Sequence, residues 1–189
     1  SVCLGELAVV LSHTPDDAFA HDAEANCLSL LAQRDAKQGQ DPIQLLERAS
    51  AGLARVLRSR PTFVWGLNDL GVIKSILATQ KWRRGQASAR EALREALRYQ
   101  EQAVRIDETY IVALVNQLVA RTEFIPMQNT RSEIMESLSH ADEVFARCVK
   151  INHGYQQCFL NYGEVYARAA QRLMLAGEDS QSQLDRARQ

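Results

Sequence analysis

Apolar residues in this chain recur three and four positions apart, with polar residues filling the intervals. That spacing is the period of an amphipathic helix, not the alternation of a half-buried strand. Leu46, Ala49, Leu53 and Val56 form one such stripe, and Leu93, Ala96 and Ala103 begin another. The pattern predicts helices at about 2–12, 16–38, 42–59, 62–83, 89–106, 109–124, 131–151 and 155–176, with a ninth starting near 181. Start signals fall where these helices begin. Asp41, Ser88, Thr130 and Ser180 are each followed three residues later by Gln44, Glu91, Glu133 and Gln183, the spacing of a capping box. Pro42 stands at a first helical position, where its missing N–H costs nothing. Gly39, Gly85 and Gly177 mark stops, and Pro126 ends the sixth helix early.

The stripes repeat over a longer distance. Leu46/Ala49, Leu93/Ala96, Leu138/Ala141 and Leu184/Ala187 are Leu-x-x-Ala pairs separated by 47, 45 and 46 residues. With these pairs aligned, "ARVLRSRPTF", "EQAVRIDETY" and "ARCVKINHGY" superpose without a gap. Each block carries an apolar pair, then a polar break, then Phe63, Tyr110 or Tyr155. Gly71 and Gly163 each lie fourteen residues before a terminal glycine, Gly85 and Gly177. Fourteen residues are about four helical turns, so both glycines of a unit share a face. Asn68, Asn116 and Asn161 sit at nearly matching places. A hairpin of two amphipathic helices cannot bury both apolar faces alone, and stacking hairpins solves this. The units expected are 1–40 (partial), 41–87, 88–129 and 130–178, with 179–189 restarting a further one, all within a single domain over 1–189.

"LNDLG" at 67–71, "FLNYG" at 159–163 and the alanines at 49, 96 and 141 resemble the tetratricopeptide repeat. In that family the first helix carries a Leu-Gly pair and the second carries small positions. The unit here is longer, about 46 residues where the family has about 34. The added residues fall between Gly71 and Ala96 and lengthen both helices. This longer form is similar to repeat regions downstream of the kinase domain in some large bacterial serine/threonine kinases. A period near 46 also suits HEAT repeats, which match the Leu-Gly and Ala positions less well. The resemblance implies an all-α fold, a right-handed superhelical array of antiparallel hairpins, with the first helix of each unit lining a concave face. Alignment then selects Asp22, Asn26, Ser29, Asn68, Ser75, Asn116, Glu123, Glu164, Arg168 and Gln171 as the candidate partner-binding set. A polar face of mixed charge suits a peptide or protein partner. The asparagines have an alternative use in hydrogen bonds within a helix pair.

Composition narrows the class. The 189 residues include four prolines and nine glycines, fewer turn residues than a sandwich or barrel requires. Cys3, Cys27, Cys148 and Cys158 form no CxxC pair, which gives no zinc signature. Cys148 and Cys158 read as small core residues at helical positions, and reduced thiols fit a cytoplasmic setting. Val2–Leu11 contains Glu6, lacks a basic segment before it and is too short to span a membrane. The chain begins without Met and reads as a piece of something longer.

Net charge is −1 overall but unevenly spread: −6 over 1–47, +8 over 48–105 and −3 over the remainder. The basic stretch admits three uses: a nucleic-acid face, head-to-tail self-association with the acidic end, or solvated helix faces with pairs around Glu91. Trp65 and Trp82 read as core and packing-edge residues. No phosphate loop, dinucleotide loop, zinc-protease motif, serine elbow or kinase signature is present, and the four histidines are scattered. The expectation is a non-enzymatic interaction module without metal or cofactor. Self-assembly and nucleic-acid binding through 48–105 are the alternatives.

Overall fold

The computed structural model describes residues 2–177, 180–181 and 185–186, the side chains of Val2 and Cys3 excepted. Among these residues there are eight α-helices and no strand. They are α1 (Val2–His13), α2 (Ala18–Lys37), α3 (Ile43–Ser59), α4 (Val64–Arg83), α5 (Ala89–Ile106), α6 (Ile111–Phe124), α7 (Arg131–Ile151) and α8 (Gln156–Leu175). Observed ends fall within about two residues of those expected from periodicity, the usual scatter of helix termini. The expected ninth helix, the Ser180–Gln183 box and the Leu184/Ala187 pair fall wholly or partly outside the described residues.

Local chemistry accounts for the boundaries. The Thr130 hydroxyl accepts the Glu133 N–H at 3.2 Å while the Glu133 carboxylate accepts the Thr130 N–H, a complete capping box. Asp17 caps α2 by accepting from the Phe19 and Ala20 amides. Asp41 accepts the Ile43 amide at 2.9 Å, across Pro42. Gly39, Gly85 and Gly177 end α2, α4 and α8 with φ of 77°, 68° and 74°, a region side chains avoid. Pro126 lacks an N–H to continue α6, and the chain passes into a 3-10 turn at Ile125–Met127.

Packing sorts the helices into two compact units, Ser1–Ile106 and Asp107–Gln189. The boundary falls inside the stretch 88–129 that the repeat alignment treats as one unit. In the first unit α1 packs on α2, α2 on α3 and α4, α3 on α4, and α4 most extensively on α5. In the second, α6 packs on α7 and α8, and α7 on α8. Each unit therefore joins sequential neighbours and also places two alternate helices side by side: α2 with α4, and α6 with α8.

Helices α3, α5 and α7 bury residues at matching spacings. Leu46, Ala49 and Val56 of α3, Leu93, Ala96 and Ala103 of α5, and Leu138, Ala141 and Cys148 of α7 are all buried. Gly71 of α4 sits over α5: a Cβ there would lie 2.6 Å from Gln100 Cγ and 3.0 Å from the Ala96 carbonyl oxygen. A mid-helix glycine costs about 1 kcal/mol, and this close crossing offsets it. Bonds between residues 43 or 44 apart tie helix ends together within each unit. Arg84 grips Asp41 at 2.7 and 2.9 Å, and Arg172 donates to the Gln128 carbonyl at 3.1 Å.

The cysteines require a correction. Cys148 and Cys158 are fully buried, as expected of small core residues, but they form a disulfide with Cα atoms 6.3 Å apart. It ties the end of α7 to the first turn of α8. Cys27 is disulfide-bonded as well, and no described cysteine is a free thiol. Spacing alone did not reveal the pairing because ten residues of turn and helix bring the two sulfurs together. The case for a reducing compartment, which rested on free thiols, loses its support. Among the described residues, no helix is long and apolar enough to cross a membrane.

Candidate functional site

The α2–α4 pair builds the most distinctive surface of the first unit. Phe19 and Trp65 stand in the first turns of the two helices, and Phe63 immediately precedes α4. Their rings meet at centroid distances of 5.3, 5.4 and 6.1 Å, edge-on or tilted. Such pairs contribute roughly 0.5–1.5 kcal/mol each beyond burial. Yet Phe19 is 55% exposed and Trp65 51% exposed. Trp82 is exposed too, so neither tryptophan lies in the core; both present rings to solvent at the edge of the packing.

About one turn further along both helices lie Asp22 and Asp69. Asp69 collects two amides: Asn26 Nδ2 donates to it at 2.6 Å from α2, and Asn68 Nδ2 at 2.8 Å from its own helix. Asp22 is half-buried, and its Oδ1 is shut away from water with no hydrogen-bond partner. Burial, reinforced by the negative charge of Asp69, pushes the Asp22 carboxyl up to about 7.

The folded chain therefore holds this proton up to about pH 7, while the unfolded chain releases it near 3.8. Stability from this group falls as pH rises from about 4 to about 7 and is flat above. Asp22→Asn should remove that slope and raise stability at pH 8 by about 1–2 kcal/mol, allowing for partial exposure. Thermal melts of both proteins between pH 5 and pH 8 check this.

The structure divides the expected site residues. Asp22 and Asn26 join Asp69 on the α2–α4 face. Asn68 is buried and acts through Asp69, while Ser29 and Ser75 are interior positions where small side chains let helices approach. These three offer a partner no surface. In the second unit, Asn116 and Glu123 are half-buried positions two turns apart on α6. On α8, Glu164 and Gln171 are exposed, and Arg168 donates to Gln171 at 3.3 Å. Asn161 turns back to the Gln157 carbonyl of its own helix, the local use of a repeated asparagine.

Asp69 lies inside "LNDLG" but carries no signal there, because its partners are on another helix. A second cluster was equally silent in sequence. Asp142 accepts from the Tyr162 and Tyr166 hydroxyls at 2.7 and 2.6 Å and from Arg186 at 3.1 Å. Phe145 stacks on Tyr162 at 4.1 Å, and Arg186 lies over the Tyr166 ring. Burial and the Asp142 carboxylate hold both tyrosines above their ordinary values, so they act as hydroxyl donors at neutral pH. The cluster fastens residue 186 against α7 and α8.

Elsewhere the charges pair. Arg48, Lys74, Lys81, Arg84, Arg94 and Arg98 of the basic stretch lie within 4 Å of carboxylates. Glu91 serves both Arg94 and Arg98, as expected of a solvated helix face. The His140 ring bonds the Glu136 carbonyl, and His21 the Pro15 carbonyl. Among the described residues, no three His, Cys, Asp or Glu side chains converge as metal ligands do. Comparison with protein families and with curated proteins gives no match for this chain.

Proposed function

We propose that the chain is a protein-interaction scaffold: a tetratricopeptide-like, right-handed array of elongated helix hairpins that binds a peptide or protein on the faces of its first helices. One observation carries this reading. Both units set alternate helices side by side, α2 with α4 and α6 with α8, the contact plan of stacked hairpins. The exposed positions on these helices mix amides, carboxylates and apolar groups: Asn26, Leu30 and Trp65 in one unit, Val119, Leu160 and Glu164 in the other. A folded peptide-binding surface has this composition. The similarity to repeat regions of bacterial serine/threonine kinases makes a regulatory protein the natural host. Nucleic-acid binding is less favoured because Arg84 and Arg94 already face carboxylates.

Panning a random twelve-residue peptide library against the full chain tests the proposal. Enriched peptides should lose affinity at least fivefold on Asn26→Arg, or on combined Glu164→Arg and Arg168→Glu. Peptides indifferent to both sets, or no enrichment at all, would overturn it.

A further inference from the structure

The α2–α4 face carries two features that the rest of its unit leaves unanswered. One is apolar: the Phe19–Phe63–Trp65 cluster, two of whose rings are half open to water. The other is anionic. Asp69 is satisfied by neutral amides, and Asp22 keeps a buried oxygen with no donor. Among the described residues, neither carboxylate has a cation within ion-pair distance, although Glu24, Glu47 and Glu95 nearby in the same unit all do. Asp22 follows Phe19 by three residues and Asp69 follows Trp65 by four. On a helix, these spacings put each acid on the same face as its aromatic, about one turn away.

We propose that this face binds a peptide segment bearing a basic side chain, Arg or Lys, next to a large apolar one. The cation docks between Asp22 and Asp69, and the apolar neighbour covers the aromatic cluster. This rests on the scaffold reading and specifies its partner in the first unit. The spacing suits an extended peptide. One helical turn is about 5.4 Å, and side chains two residues apart on a strand are about 6.6 Å apart, a difference of about 1.2 Å that flexible side chains span. A guanidinium or ammonium brought between them neutralises the mutual repulsion of the two carboxylates and donates to their accessible oxygens. The rings then contribute stacking and cation–π attraction beside the same charge. A second copy of this chain is the less suitable occupant. Its densest basic segment, 83–98, already engages Arg84, Arg94 and Arg98 with its own carboxylates.

The experiment uses the full chain with Trp82→Phe, leaving Trp65 as the sole tryptophan. Fluorescein-labelled twelve-residue peptides are made in matched sets: Leu-Ser-Arg-Leu at the centre, the same with Glu for Arg, and the same with Ser for both Leu. Polarisation should show the Arg-Leu peptide binding at least tenfold more tightly than either relative, with a blue shift of Trp65 emission. Asp69→Asn should cost that peptide at least tenfold, and Trp65→Ala should weaken the Arg-Leu and Arg-Ser peptides to the same level. Circular dichroism checks that each variant folds.

Equal binding of the Glu peptide, or indifference to Asp69→Asn, would overturn the proposal. Library-derived peptides that respond only to Glu164 and Arg168 would overturn it while leaving the scaffold reading intact. Failure of every peptide, library-derived ones included, would remove both. Light scattering covers the remaining case. A mass that doubles with concentration and returns to monomer on Asp69→Asn would assign the face to a second copy and overturn the peptide proposal.

Discussion

Reducing the Cys148–Cys158 bond should lower the stability of the Asp107–Gln189 unit by about 2–3 kcal/mol. The bond closes a loop of ten residues of separation. In the chain-entropy account, a cross-link of that length removes about that much freedom from the unfolded chain. Both sulfurs are fully buried, so the folded unit has nothing to gain from opening it. The effect is large beside the 5–15 kcal/mol that holds a typical domain together. Urea unfolding with and without dithiothreitol, the former after reduction in denaturant, measures the difference. Mass spectrometry of the native protein after alkylation should find neither residue modified. Full alkylation of both in the folded state would show that the bond does not form.

Gly71→Leu should destabilise the first unit by about 3 kcal/mol. The new Cβ would meet Gln100 Cγ at 2.6 Å and the Ala96 carbonyl oxygen at 3.0 Å before the rest of the side chain is added. Gln100 is itself buried, and a backbone carbonyl moves only if α5 moves with it. Overpacking of this kind typically costs about 1–3 kcal/mol. Leucine is at the upper end here because α4 and α5 share the most extensive interface of their unit. Its better helix propensity returns about 1 kcal/mol at most. Gly52→Ala supplies the contrast, since a Cβ at that α3 position meets nothing within 4 Å. It should gain about 0.5–1 kcal/mol. If urea midpoints for the two variants fell together, the close crossing at Gly71 would be wrong.

Helix positions were legible because their determinants are local. The stripe through Leu46, Ala49 and Val56 and the stop at Gly39 need only neighbouring residues. The buried side of α3, α5 and α7 was legible too, since Ala49, Ala96 and Ala141 are all buried. What depends on a distant partner was not. Asp22 and Asp69 lie 47 residues apart, and only the meeting of α2 and α4 makes them neighbours. The exposure of Trp65 ran against its composition, because its place in the first turn of α4 turns the ring to the rim. Ser29 and Ser75 were selected by alignment, and both are buried, where their small size suits the interior. The division after Ile106 left no mark either: the α5 stripe continues the same pattern as α3, so periodicity alone cannot show where one unit ends.

Four of the longer-range bonds span nearly equal lengths of chain. Asn26 with Asp69, Asp41 with Arg84, Gln128 with Arg172 and Asp142 with Arg186 are all 43 or 44 residues apart. Contacts so close in sequence keep the search for the native state short, and helical proteins of this kind fold in microseconds to milliseconds. Each hairpin finds its partners as soon as the next forty-odd residues have been synthesised. A ribosome adding about 5–20 residues per second is far slower than that search. The first unit is therefore complete before the second has left the exit tunnel, and its apolar surfaces are covered in the order in which they are made.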